Sequence, residues 1–203
     1  MRRTKQQAAE TKCQILLAAE ELFLDKGYDN VSLEEIAAQA GVSRGAVHWH
    51  FKNKQGLLLA LRNTAQEPFR ELEAELSAID GANSLKRLID AITQTFEQLE
   101  KDPRQQGLLR AMLRLDLTFA EAGDNEPATF PDEMYDIFVP ILKVVDRDIG
   151  LVPPWTAEKA ATMLNATMGG IIMEWGFERG EFHLTHDGLL LIRTMLRGLI
   201  KAQ

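Results

Sequence analysis

Two short helices joined across a glycine constrain this chain more than any other feature of its sequence. Ser32-Leu33-Glu34-Glu35 has the spacing of a capping box, in which the serine and the second glutamate satisfy each other's free backbone N–H groups at a helix start. The helix it opens turns Leu33, Ile36, Ala37 and Ala40 inward and ends at Gly41, which tolerates the positive φ that a tight exit requires. Ser43 is placed to cap the next helix, over 44–50, while Val42 plugs the corner between the two. A longer stripe precedes them: Ile15, Ala18, Ala19, Leu22 and Phe23 fall on one helical face that closes at Lys26-Gly27. Three helices in this order, with the last pair short and capped, give a helix-turn-helix.

The remainder reads as helix throughout. Lys54 starts a long stripe of Leu57, Leu58, Leu61, Ala65, Leu72 and Leu76, in which Pro68 either kinks the helix or ends it. Further helices are expected over 84–101, 104–122, 131–149, 157–180 and 186–202, separated by proline- and glycine-containing breaks. With Pro68 taken as a kink, the expectation is an all-α chain of about nine helices. Its organisation is a helix-turn-helix domain over residues 1–55 and an effector-binding and dimerisation domain over residues 56–203. Alternating β-branched runs and Asn-Gly hairpin signals are missing.

A net charge of −7 argues at first against a nucleic-acid partner, but its distribution reverses that impression. Residues 1–62 carry nine Lys and Arg against seven Asp and Glu, which leaves −9 for the rest of the chain. From Ile36 to Gln66 there is no acidic residue, whereas Arg44, His48, His50, Lys52, Lys54 and Arg62 all lie there. A polyanion needs a local surface free of carboxylates, not a basic protein as a whole. The single cysteine, Cys13, excludes an intramolecular disulfide framework and fits a reducing compartment. Met1-Arg2-Arg3-Thr4-Lys5 turns polar with no apolar signal core behind it, and the stretch Ala160 to Met173 is short of the ~20 apolar residues of a span, so a cytoplasmic chain without membrane association is expected.

In the second short helix Val47 and Phe51 face inward, while Arg44 and His48, four apart, face out with Gly45 and Trp49 beside them. Arg44 is the candidate for a guanine edge, because its fork bonds two acceptors at once. Gly45 either lets the helix backbone come close to DNA or accommodates packing. Trp49, His50 and Lys54 are candidate phosphate contacts, with core burial as the alternative for Trp49. Ser32 and Ser43, at the two helix starts, complete the DNA-binding set. Arg2, Arg3 and Lys5 form either a basic arm that reaches DNA or a solubilising tail. His48 and His50 do not read as a metal pair, since residues two apart on a helix point to different faces, and neither a metal nor another cofactor is expected.

The segment ILLAAEELFLDKGYDNVSLEEIAAQAGVSRGAVHWHFKNKQGLLLAL resembles the N-terminal signature of the TetR family of one-component regulators. The resemblance is carried by Gly27-Tyr28, Ser32, Ile36-Ala37, Ala40-Gly41-Val42-Ser43, Gly45, His50-Phe51 and Lys54, and it departs at His48, where the family often has tyrosine. RTKQQAAETKCQIL, RGAVHWHFKNK and GGIIMEWGF further resemble the AcrR-like subgroup, local repressors of multidrug efflux operons. The resemblance implies a homodimer on palindromic operator DNA, paired through its last two helices, and released by a small lipophilic or aromatic ligand. A metabolite-sensing regulator of another pathway, or an activator, is the alternative within the same family.

The second domain offers residues for both roles. Leu164, Ile171, Ile172, Trp175, Ile192, Met195, Leu196 and Leu199 are the candidates for the dimer interface, with monomer core as the alternative. Phe96, Met112, Phe119, Phe138 and Met168 are the adaptable and aromatic groups of a candidate ligand pocket, to which Arg114 and Asp116 add polarity; core packing is again the alternative. The helix containing Pro68 would link pocket to reading head. No nucleophile elbow, Walker-type glycine loop, His-Glu-x-x-His or paired-carboxylate site occurs in the sequence, so a catalytic residue is not expected and the chain does not read as an enzyme.

Overall fold

The computed structural model describes residues 5–78, 83–122, 128–177 and 181–201, without the side chains of 119–122. Among these residues there are ten α-helices and no strand, only an isolated antiparallel bridge between Leu151 and Ile200. The helices are α1 (Lys5–Lys26), α2 (Leu33–Gln39), α3 (Arg44–Phe51), α4 (Lys54–Thr64), α5 (Glu67–Ala78), α6 (Ser84–Lys101), α7 (Gln105–Ala122), α8 (Phe130–Asp148), α9 (Ala157–Gly176) and α10 (Leu189–Leu199).

The all-α expectation holds, but the count of nine does not, and Pro68 is the reason. Within a continuous helix its ring would clash with the carbonyl of Thr64 and its missing N–H would break the ladder. The helix therefore closes at Thr64, where the Ala65 N–H donates to the Arg62 carbonyl at 3.1 Å, and a new one starts at Glu67. Pro68 then sits in the first turn of α5, where no N–H is required. Gln66 organises this restart. Its carbonyl accepts from the N–H groups of Phe69 and Arg70, both at 3.0 Å. Its fully buried side chain donates to Glu133 Oε2 at 2.6 Å and accepts from Arg70 Nη2 at 2.8 Å.

The chain divides into two compact units. The first comprises Met1–Ala65 with Arg104–Arg114, the second Gln66–Pro103 with Leu115–Gln203. In the first, α1 packs on α2, α3 and α4 around Ile15, Ala19, Phe23, Ile36, Val47 and Leu57, all at most 1% exposed. In the second, α8 packs on α5, α6 and α9, and the Phe69 ring meets Phe138 edge-on at 5.4 Å. The chain between α9 and α10 makes a π turn over Leu184–Gly188. Its start is capped from α6: the Glu100 carboxylate accepts from the N–H groups of Leu184 and Thr185 and from the Thr185 hydroxyl. The last helix follows this turn at Leu189 and ends at Leu199, where Ile200 turns extended and bridges Leu151, so it is shorter than the expected 186–202. No described helix is long and apolar enough to cross a membrane.

Candidate nucleic-acid interface

The capping box closes as its spacing predicts. Ser32 Oγ accepts from the Glu35 N–H at 3.2 Å, and the Ser32 N–H donates to Glu35 Oε2 at 2.9 Å. The other oxygen of Glu35 takes a bond from Lys26 Nζ at 2.7 Å. These bonds hold the Glu35 carboxyl down to about 2, the Lys26 contact being the largest cause. At the far end of α2, Gly41 holds φ +65°, its N–H donates to the Ala38 carbonyl at 3.2 Å, and the Val42 N–H donates to the Ala37 carbonyl at 3.0 Å. This pair of bonds is a Schellman exit, and it requires the left-handed residue rather than the space, since a Cβ at Gly41 would meet nothing within 4 Å. Ser43 Oγ then accepts from the Ala46 N–H at 3.2 Å and opens α3.

On α3 the inward and outward faces separate cleanly. Val47 and Phe51 are buried, whereas Arg44, Gly45, His48 and Trp49 are exposed. Trp49 is 73% exposed, which removes the core alternative for it: a bare indole on a short helix beside an arginine is available to a partner. A Cβ at Gly45 would meet only Ser43 Oγ, at 3.8 Å, so no packing within the chain demands glycine there. His50 is half-buried, its ring standing edge-on to Trp49 at 4.5 Å and tilted against Phe51 at 6.1 Å. Ser32 and Ser43 carry the two caps. Lys5 is exposed at the start of α1, while Arg2 and Arg3 lie outside the described residues.

Two expectations about charge need correction. Lys54 does not present its ammonium outward. Nζ donates to the carbonyls of Tyr28 at 2.7 Å, Val31 at 3.0 Å and Asp29 at 3.3 Å, and lies 4.5 Å from the centre of the Tyr28 ring. An ammonium has three donors, and here all three clamp the chain between α1 and α2 to the start of α4. The surface around Arg44 is also not free of carboxylates. Glu34 lies just outside the acid-free segment, yet the corner at Gly41 folds it back to 2.9 Å from Arg44 Nη1.

Between α3 and α4 lies a device that the sequence did not disclose. Lys52 adopts φ 62° and ψ −53°, and the Phe51 carbonyl accepts from the Asn53 N–H at 2.7 Å, a γ-turn. Asn53 Oδ1 then accepts from the Gly56 N–H at 2.8 Å and caps α4. A Cβ at Gly56 would collide with the Phe51 carbonyl oxygen, so this glycine lets α4 start directly against the end of α3. Asn-Lys-Gln-Gly after a helix end is the signal that would have located the cap.

The seven candidate pocket residues divide between the two units. Phe96, Phe138 and Met168 are buried in the second unit, with the Phe96 ring packed close against Gly188. Met112 and Arg114 belong to the first unit, where Arg114 is exposed and pairs with Asp29 at 3.0 Å. Arg114 therefore serves an exposed ion pair within the first unit, and α7 contributes its first half to that unit and its second half to the other. Asp116 Oδ1 accepts from the Phe130 N–H at 3.0 Å beside the start of α8. The side chain of Phe119 lies outside the described residues. An open groove of about 370 Å³ on the first unit, lined by Gln14, Leu17, Ala18, Gln39 and Ala40, includes none of the seven.

Most of the expected dimer stripe is core of the single chain, the alternative left open for it. Leu164, Ile171, Trp175, Ile192, Leu196 and Leu199 are buried within the single chain, and Ile172 and Met195 are half-buried, with the Thr167 hydroxyl donating to Met195 Sδ at 3.3 Å. Both α9 and α10 carry apolar residues on two faces, and the larger stripe was consumed by the core. The apolar side chains left outside are Met163, Met173 and Phe177 at α9 and Leu190 and Leu191 on α10.

Comparison with known proteins agrees with this geometry. The family model described as bacterial regulatory proteins, tetR family, matches residues 15–61. The transcriptional repressor BepR of Brucella suis is 34% identical over 98% of this chain and 96% of its own. Among solved structures, NalD, the secondary repressor of the MexAB-OprM multidrug efflux pump in Pseudomonas aeruginosa, is 30% identical and superposes with a TM-score of 0.68 over 97% of this chain and 100% of its own. SmeT, the repressor of the Stenotrophomonas maltophilia multidrug efflux pump SmeDEF, is 29% identical in its complex with triclosan, with a TM-score of 0.71 over 95% of this chain and 92% of its own.

Proposed function

Because the chain belongs to the tetR family of bacterial regulatory proteins, we propose that it is a repressor of a multidrug efflux operon, released from its operator by a small lipophilic ligand. The observation that carries the DNA-reading role is the outward face of α3, where Arg44, Gly45, His48 and an almost bare Trp49 stand on a helix fixed from behind by Val47 and Phe51. The likeness to BepR supports the repressor role, the likeness to NalD and SmeT over nearly the whole chain supports the efflux assignment, and the triclosan complex of SmeT supports the response to a ligand.

One short helix reads too few base pairs to find a site alone, so reading requires two copies on a palindrome with half-sites one helical turn, ~34 Å, apart. The outward apolar residues Met163, Met173, Phe177, Leu190 and Leu191 supply the surface for that pairing. The second unit takes the ligand among buried aromatic and methionine side chains such as Phe96, Phe138 and Met168. A ligand that binds the non-reading conformer ~100-fold better weakens operator binding by at most ~2.7 kcal/mol.

The test is selection of duplexes from a random pool by the full chain, followed by titration of the selected duplex with lipophilic compounds, triclosan among them. A palindromic consensus that is released by several chemically unrelated apolar compounds is the expected result. Failure to enrich any consensus overturns the regulator reading, and release by a single polar metabolite overturns the efflux assignment.

A further inference from the structure

Glu34 stands in the first turn of α2, yet it takes no part in the capping box, which is made by Ser32 and Glu35. Its carboxylate crosses instead to α3, where Oε1 lies 2.9 Å from Arg44 Nη1, with both side chains more than half exposed. Among the described residues it is the carboxylate paired with the outward face of α3. From this geometry, and resting on the DNA-reading role proposed above, we infer that Glu34 is a specificity-determining residue that acts through Arg44.

Two physical effects operate together. The contact engages one terminal nitrogen of a guanidinium that has five donors in a rigid fork. The remaining edge is left for the paired acceptors of a guanine, and the flexible arginine stem is held at one place rather than sampling many rotamers. The carboxylate is also an exposed negative charge on the face that would meet a polyanion. Sequence-blind binding is almost wholly electrostatic, so a negative charge at this position weakens it in every register. Only the correct base restores what the charge removes, by accepting from the arginine that Glu34 has oriented. Discrimination is the difference between these two affinities: the charge lowers both alike, and Glu34 widens the difference through the arginine it orients.

The experiment compares the full-length protein with Glu34→Gln, Arg44→Ala and the double variant. Fluorescence anisotropy is read on the duplex selected by the unaltered protein and on a scrambled duplex of the same composition, across a range of salt. Glu34→Gln, which keeps the shape and removes the charge, binds the scrambled duplex at least threefold more tightly, with a salt slope steeper by about 0.9. The ratio of selected to scrambled affinity falls at least fivefold. In the Arg44→Ala background the same substitution leaves that ratio unchanged. A ratio untouched by Glu34→Gln, or one that falls equally without Arg44, overturns the inference while the regulator reading stands. If the unaltered protein enriches no duplex at all, both fall together. Thermal melting of each variant separates these results from unfolding, and the inference requires Glu34→Gln to melt with the unaltered protein.

Discussion

Arg114 Nη2 donates to Asp29 Oδ2 at 3.0 Å, so the middle of α7 is tied to the short turn that precedes α2. One helical stretch earlier, Arg104 pairs with Asp25 and Glu21 near the end of α1. Exposed pairs of this kind contribute at most ~1 kcal/mol each to stability, but they fasten the first half of a helix whose second half belongs to the other unit. Replacing both arginines by alanine is expected to leave ligand-free operator affinity within about threefold and to shrink the ligand-induced loss of affinity severalfold, a coupling normally of 1–3 kcal/mol. Operator titrations with and without ligand measure this; an undiminished response in the double variant would place the coupling elsewhere.

Lys54→Met separates an internal clamp from a phosphate contact. Losing three bonds from an ammonium to carbonyls destabilises the first unit by about 1.5–3 kcal/mol, visible as a lower denaturant midpoint. The salt slope of DNA binding by the folded variant is expected to stay as it was, whereas loss of a phosphate contact would lower it by about 0.9.

Gly41→Ala and Gly45→Ala should move stability in opposite directions. At Gly41 the φ of +65° opposes any Cβ, and alanine costs about 1 kcal/mol or more. At Gly45 the backbone is helical and the space is open, so alanine gains about 0.5–1 kcal/mol. The same methyl group on the reading face is expected to lower operator affinity at least tenfold by order of magnitude, a loss of about 1.4 kcal/mol. A stable Gly45→Ala protein with full affinity would remove the close-approach role.

Acid should loosen α2 first. The Glu35 carboxyl is held at about 2 against an ordinary 4.5, so the folded state favours its charged form. Its contribution is complete above pH 4.5 and is lost as pH falls through about 2. In Glu35→Gln, melting temperature between these limits should therefore fall less steeply with acid than in the unaltered protein, which melts recorded in steps of half a pH unit resolve.

Charge placed on the outer face of the last two helices should split the proposed dimer. Leu190→Glu, at a position 61% exposed, is expected to give monomers in sedimentation with secondary structure intact and to abolish tight operator binding. Ile192→Glu, at a fully buried position, should instead unfold the chain. Dimers that survive Leu190→Glu would point to a different pairing surface.

The features legible from sequence alone were those whose partners lie within about one helical turn. The Ser32–Glu35 box, the Gly41 exit, the Ser43 cap and the division of α3 into Val47 and Phe51 inside with Arg44 and His48 outside all follow from spacing, because a helix fixes the direction of each side chain. What tertiary structure decided was the destination of long, charged or ambiguous side chains. Lys54 met carbonyls 23 to 26 residues away, and Arg114 met Asp29 across 85 residues. Glu34 reached Arg44 only because the corner at Gly41 turns α3 back towards α2. On α9 and α10 apolar residues occupy both faces, so the stripe read from spacing could be core or interface, and only packing made it core. Local hydrogen bonds set where each helix begins and ends; distance in three dimensions, which the order of residues does not contain, set what each helix touches.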